Sequence, residues 1–142
     1  MTRLQPQPRY PFTVDLAVRV GDLNYGGHLG FDTLAGLAHE AWIRLLSQLG
    51  VSEMDLGDGA TGLITAELVV NYLGEAFLGD RLSFRIRPVQ IKLASFRLAV
   101  QVVAGERHVA LLEVRMAAFD YAQHRTTQLP PGLHAKLVQL SE

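Results

Sequence analysis

The chain has 142 residues, 49% of them hydrophobic, and 13 basic against 14 acidic side chains give a formal net charge of -1. Such a chain is one domain, 1–142, with enough apolar material for a packed core. The charge balance excludes the basic surplus of a general nucleic-acid binder. The lack of cysteine excludes disulfides, a thiol nucleophile and cysteine-held metals.

Residues 1–11 carry Pro6, Pro8 and Pro11 and no apolar signal core, so an extended N-terminal segment is predicted. No apolar run approaches the roughly 20 residues that span a membrane. A cytoplasmic protein without a membrane partner is expected.

Phe12, Val14, Leu16, Val18 and Val20 then alternate with Thr13, Asp15, Ala17 and Arg19, the period of a half-buried strand. The stretch Gly21-Asp22-Leu23-Asn24-Tyr25-Gly26-Gly27-His28-Leu29-Gly30 follows, rich in turn formers and polar side chains. Phe31, Leu34, Ala38, Ala41, Trp42, Leu45, Leu46 and Leu49 recur at helical spacing, predicting one long helix from about Gly30 to Leu49, ended by Gly50. A loop over 51–60 leads to four predicted strands, about 61–73, 80–90, 93–104 and 107–121, with turn signals at Gly79-Asp80 and Gly105-Glu106. In the tail, 122–142, a short helix from His134 to Leu140 is expected after Pro130-Pro131-Gly132.

The order strand, long helix, four strands predicts an α+β fold, a curved antiparallel sheet wrapped around one central helix. Such a sheet leaves an edge strand and apolar surface uncovered, so a homodimer is expected, with further pairing into a tetramer left open.

The residues of the turn resemble a family. Acyl-CoA thioesterases of the 4-hydroxybenzoyl-CoA thioesterase type, which have the hotdog fold, carry Asp-x-Asp, a glycine and often a histidine at the start of the central helix. Here the stretch reads Asp22-Leu23-Asn24-Tyr25-Gly26-Gly27-His28. Their helix often holds Glu-Ala-Arg where this chain has Glu40-Ala41-Trp42, and a later Tyr, loop and Gly-Asp match Tyr72 and Gly79-Asp80. The similarity spans roughly 12–121. It implies an acyl-CoA substrate and no other cofactor, with the backbone N–H of Phe31 as oxyanion donor and Lys92 and Ser95, helped by Arg97, at the nucleotide end of CoA.

One departure matters. The second aspartate of that pattern acts as nucleophile or general base, and Asn24 stands in its place. A neutral amide does neither near pH 7. Either the chain is an inactive relative or another group supplies the base, and the acids on the helix are Asp32 and Glu40. Asn24 and His28 would then position water or substrate. Each has a plainer reading. Asn24 suits a turn, and His28 could satisfy backbone groups near the helix start. Asp32 suits a helix start, and could also pair with His28. Glu40, expected mid-helix among Ala38, Ala41 and Trp42, could pair with Arg44. Lys92 and Ser95 could be ordinary surface at a hairpin. Asp22 is expected to hold the turn together. His39, His108, His124 and His134 lack ligand spacing, so no metal site is expected. Two alternatives stay open. An R-specific enoyl-CoA hydratase resembles Gly21-Asp22-Leu23-Asn24 but has a turn proline and a histidine one residue nearer. A non-catalytic acyl-CoA-binding module needs no base at all.

Overall fold

A computed structural model describes residues 2–142. The chain runs β1 (Phe12–Ala17), α1 (Phe31–Gln48), β2 (Thr61–Tyr72), β3 (Arg81–Val89), β4 (Ser95–Ala104), β5 (Arg107–Asp120), a two-residue β6 (Arg125–Thr126) and α2 (Pro131–Ser141). All strand pairs are antiparallel, in the order β1-β3-β4-β5-β2, with β6 added to β5. The strand after the long helix therefore crosses the sheet to pair with β5 and forms the edge opposite β1. No helix among the described residues is long and apolar enough to cross a membrane.

The helix is set by its apolar stripe. Leu34, Leu37, Ala38, Ala41, Trp42, Leu45 and Leu46 are buried. They share one core with alternating residues of the sheet: Phe84 and Ile86 of β3, Phe96, Leu98 and Val100 of β4, and Leu112, Val114 and Met116 of β5. Full burial of each large apolar side chain is worth about 1.5–3 kcal/mol. Leu133 and Leu137 of α2 close one end of this core.

Residues 2–10 form a strap across the other face of the sheet. The Arg9 guanidinium donates to Leu140 O, Arg87 of β3 donates to Gln7 Oε1, and Leu4 N–H reaches Asn71 Oδ1 on the far edge. On the way the strap lies against Ala99 and Leu111, which point away from the helix and are nonetheless buried.

Two element boundaries differ from the sequence reading. β1 stops at Ala17, and Val20 is 72% exposed within a 3-10 turn, Val20–Asp22. Arg19 N–H there donates to the Asp22 carboxylate at 2.8 Å instead of to a neighbouring strand, so the apolar alternation outruns the ladder. α2 begins at Pro131 rather than His134, because proline at the first helical turn costs no hydrogen bond.

Candidate active site

The turn between β1 and α1 is built by its backbone. Asn24 N–H donates to His28 O at 2.8 Å, and Gly27 N–H donates to Asn24 O at 3.1 Å. Gly27 takes φ of +83°, a conformation that favours glycine. At Gly26 a Cβ would lie 3.2 Å from Asn24 Oδ1 and 3.4 Å from His28 Nε2, so a larger residue would crowd these two side chains and push them slightly apart. Gly30 N–H then donates to Asp22 O, and Leu29 N–H to Ala76 O at 2.8 Å. That last bond ties the start of α1 to the segment between β2 and β3.

Asp22 is the structural centre. Only 3% exposed, it accepts from Arg19 N–H and from two guanidinium nitrogens at 3.2 and 3.3 Å. The Arg19 guanidinium, foremost through its hydrogen bonds, holds the Asp22 carboxyl below its ordinary range against the opposing effect of burial. Asp22 is thus a committed structural acceptor, as the sequence implied.

Beside the turn lies a pocket of about 260 Å³ lined by Asn24, His28, Phe31, Tyr72, Glu75 and Val109, among others. A wider depression of about 730 Å³ lies between the strap and the end of β2, but its Asn71 is occupied by Leu4 N–H and Thr2 O. The smaller pocket is the one that gathers Asn24 and His28 of the turn. Its floor includes the start of α1, where the N–H groups of Phe31, Asp32 and Thr33 meet no protein acceptor among the described residues. A helix N-terminus with free N–H groups favours negative charge.

Asn24 spends its Oδ1 on Gly26 N–H at 2.8 Å, which is turn chemistry, while its amide N–H₂ has no protein partner among the described residues. His28 Nδ1 lies 3.3 Å from Leu29 O. A carbonyl only accepts, so Nδ1 is the donor, and in the neutral imidazole Nε2 is left with a lone pair. Nε2 faces Glu75 Oε1 at 3.9 Å. The Tyr72 hydroxyl donates to Phe31 O at 2.9 Å. Desolvation, then the charge of Asp32, raise its pKa, so it stays a donor.

The structure corrects several placements. His28 faces Glu75, not Asp32: Gly27 and Gly30 are not helical, so the i, i+4 relation does not reach back from the helix. Asp32 is exposed and curls back toward Gly30. Glu40 is exposed and pairs with Arg44 one turn on, away from the pocket. Lys92 and Ser95 sit in the β3–β4 turn, joined by Lys92 N–H donating to Ser95 O. Through β5, Ser95 is level with Ile64, whereas the pocket is at Tyr72, eight residues along β2; at about 3.3 Å per residue, Lys92 and Ser95 are at the opposite end of the sheet. Arg97 is occupied by Glu67 and Glu113.

Glu75 and Tyr72 were missed as site residues. Both lie in the stretch from Tyr72 to Asp80 whose spacing matched the family pattern, and Glu75 has no local partner in sequence to explain it. What brings Glu75 to His28 is the long-range Leu29–Ala76 bond.

Known proteins are similar to this chain in sequence and fold. A family model described as the thioesterase-like superfamily matches residues 18–137. A 1,4-dihydroxy-2-naphthoyl-CoA hydrolase of Prochlorococcus marinus is 30% identical over 124 residues, covering 82% of this chain and 80% of that one. A solved 1,4-dihydroxy-2-naphthoyl-CoA thioesterase from Synechocystis superposes with a TM-score of 0.83 at 19% identity, over 92% of this chain and 98% of the other. A Thermus thermophilus thioesterase solved with coenzyme A and Zn gives 0.80 at 24% identity, over 95% and 97%.

Proposed function

The chain belongs to the thioesterase-like superfamily and is an acyl-CoA thioester hydrolase with the hotdog fold, and from that premise we propose that its acyl group is aromatic and that hydrolysis takes place in the pocket at the start of α1. The free N–H of Phe31 carries this reading. It begins a helix, lines the pocket and has no protein acceptor among the described residues, which suits a thioester oxygen that becomes an oxyanion. The Asn24 amide N–H₂ is the second donor to substrate, and His28 Nε2 is the proton acceptor. Neither Asp32 nor Glu40 lines the pocket of its own chain, so the base is sought elsewhere.

An aromatic acyl group is favoured by the walls. Phe31 is 71% exposed and Tyr72 50%, so both offer ring surface at the mouth. The naphthoyl substrates in the relatives' names support the same class.

We also propose a homodimer formed through β2. β2 is a free edge, with Leu68 and Tyr72 exposed along it. Two copies pairing antiparallel there would bring the Lys92–Ser95 end of one beside the pocket of the other. That arrangement gives Lys92 and Ser95 a route to the CoA of the neighbouring site, which they lack within one chain.

The test is CoA release, followed with a thiol reagent, from a panel holding aliphatic, benzoyl and 1,4-dihydroxy-2-naphthoyl-CoA and an enoyl-CoA. The protein's lack of cysteine removes background. The expected outcome is release with aromatic thioesters preferred, reduced at least tenfold by Asn24→Ala. Preference for long aliphatic chains would overturn the aromatic assignment. Hydration of the enoyl ester without CoA release would favour the hydratase alternative.

A further inference from the structure

We propose that Glu75 is a catalytic residue, which with His28 holds and orients the attacking water and so replaces the acid missing at Asn24. The inference rests on the thioesterase reading of the pocket. With His28 neutral, two acceptors face each other there: the lone pair of Nε2 and the Glu75 carboxylate, 3.9 Å apart. They cannot hydrogen-bond to one another while both are unprotonated. A water about 2.8 Å from each spans that gap by donating one hydrogen to either side. Its remaining lone pairs then point away from both acceptors, free to attack a carbonyl carbon. Among the described residues no other carboxylate lines the pocket, and its Tyr72 hydroxyl is committed to Phe31 O.

The step balances. The water oxygen bonds to the thioester carbon as the carbonyl pair moves onto oxygen, facing Phe31 N–H. One water proton passes to His28 Nε2, and the Glu75 carboxylate stabilises the imidazolium. When the intermediate collapses, the C–S bond breaks, Nε2 returns its proton to the CoA sulfur, and the carboxylic acid loses its own to solvent. Glu75 remains a carboxylate throughout. Leu29 O keeps Nδ1 protonated, so the same nitrogen accepts and returns the proton.

The test compares wild type, Glu75→Gln, Glu75→Asp and Glu75→Ala on the aromatic thioester that wild type hydrolyses best, with melting temperature and CoA binding measured in parallel. Glu75→Gln should lower kcat by about 10²–10⁴-fold, with KM within threefold and the melting temperature unchanged. Glu75→Asp should recover part of that loss, and added formate should restore turnover to Glu75→Ala. Turnover of Glu75→Gln within threefold of wild type overturns the proposal and leaves the hydrolase reading standing. A raised KM at unchanged kcat makes Glu75 a binding residue and overturns it equally. A loss that neither Asp nor formate recovers shows a structural role and overturns it too. If wild type itself releases no CoA from any thioester, the hydrolase reading fails and this proposal falls with it.

Discussion

Asp22 and Asn24 stand two residues apart on one turn, yet only Asn24 lines the pocket. Asp22 is buried on Arg19, and its carboxyl titrates below the ordinary range. The sign follows from that direction. A carboxylate with a depressed folded pKa adds stability above its unfolded value, about 3.9, and the contribution is lost as pH falls through the folded value below it. Asp22→Ala should therefore lower the unfolding free energy by about 1–3 kcal/mol at pH 7. In urea titrations the difference from wild type should shrink below about pH 4. His28 and Glu75 differ in their contacts: among the described residues no protein donor occupies Nε2 or the Glu75 carboxylate.

At the scale of the element, α1 has two kinds of position. Leu45 is fully buried in the core, and Leu45→Ala should cost about 2–5 kcal/mol in denaturant unfolding. Glu40 is exposed on the opposite side and paired only with Arg44. Such pairs are worth roughly 0.3–0.5 kcal/mol. Glu40→Gln should leave both stability and CoA release close to wild type, and a tenfold fall in turnover would return Glu40 to the list of bases. The helix spacing foretold the buried face well: every buried position from Leu34 to Leu46 was named in the apolar pattern except Leu37, which lies on the same face, three residues after Leu34. It did not foretell that Glu40 is exposed, because its flanking Ala38, Ala41 and Trp42 are buried and rotation about the axis decides which neighbour faces water.

For the whole molecule, the free edge of β2 and the strap are the features that reach beyond one element. A dimer through β2 predicts a light-scattering mass of twice the 15.6 kDa chain, and Leu68→Glu should shift it toward one copy while lowering turnover. Return of the single-copy mass for wild type would overturn the dimer. Deleting residues 2–10 should expose Ala99 and Leu111 and remove the bonds to Asn71, Arg87 and Leu140. A lower melting temperature and increased binding of an apolar dye are the expected readouts.

The chain's own periodicities determined the α+β class, the one long helix, and the four later strands nearly to the residue, since each rests on a local repeat of apolar side chains facing one core. The turn motif likewise placed Asn24, His28 and the free N–H of Phe31 together, because they lie within eight residues of chain. Only the tertiary structure decided which carboxylate joins them. Glu75 arrives through a single backbone bond, Leu29 N–H to Ala76 O, between segments 47 residues apart, and Lys92 is carried to the far end of the sheet by a register no local pattern encodes. Side-chain identity and spacing fix what is close along the chain; closeness across it depends on strand order, which here puts β2 beside β5 and leaves its edge open.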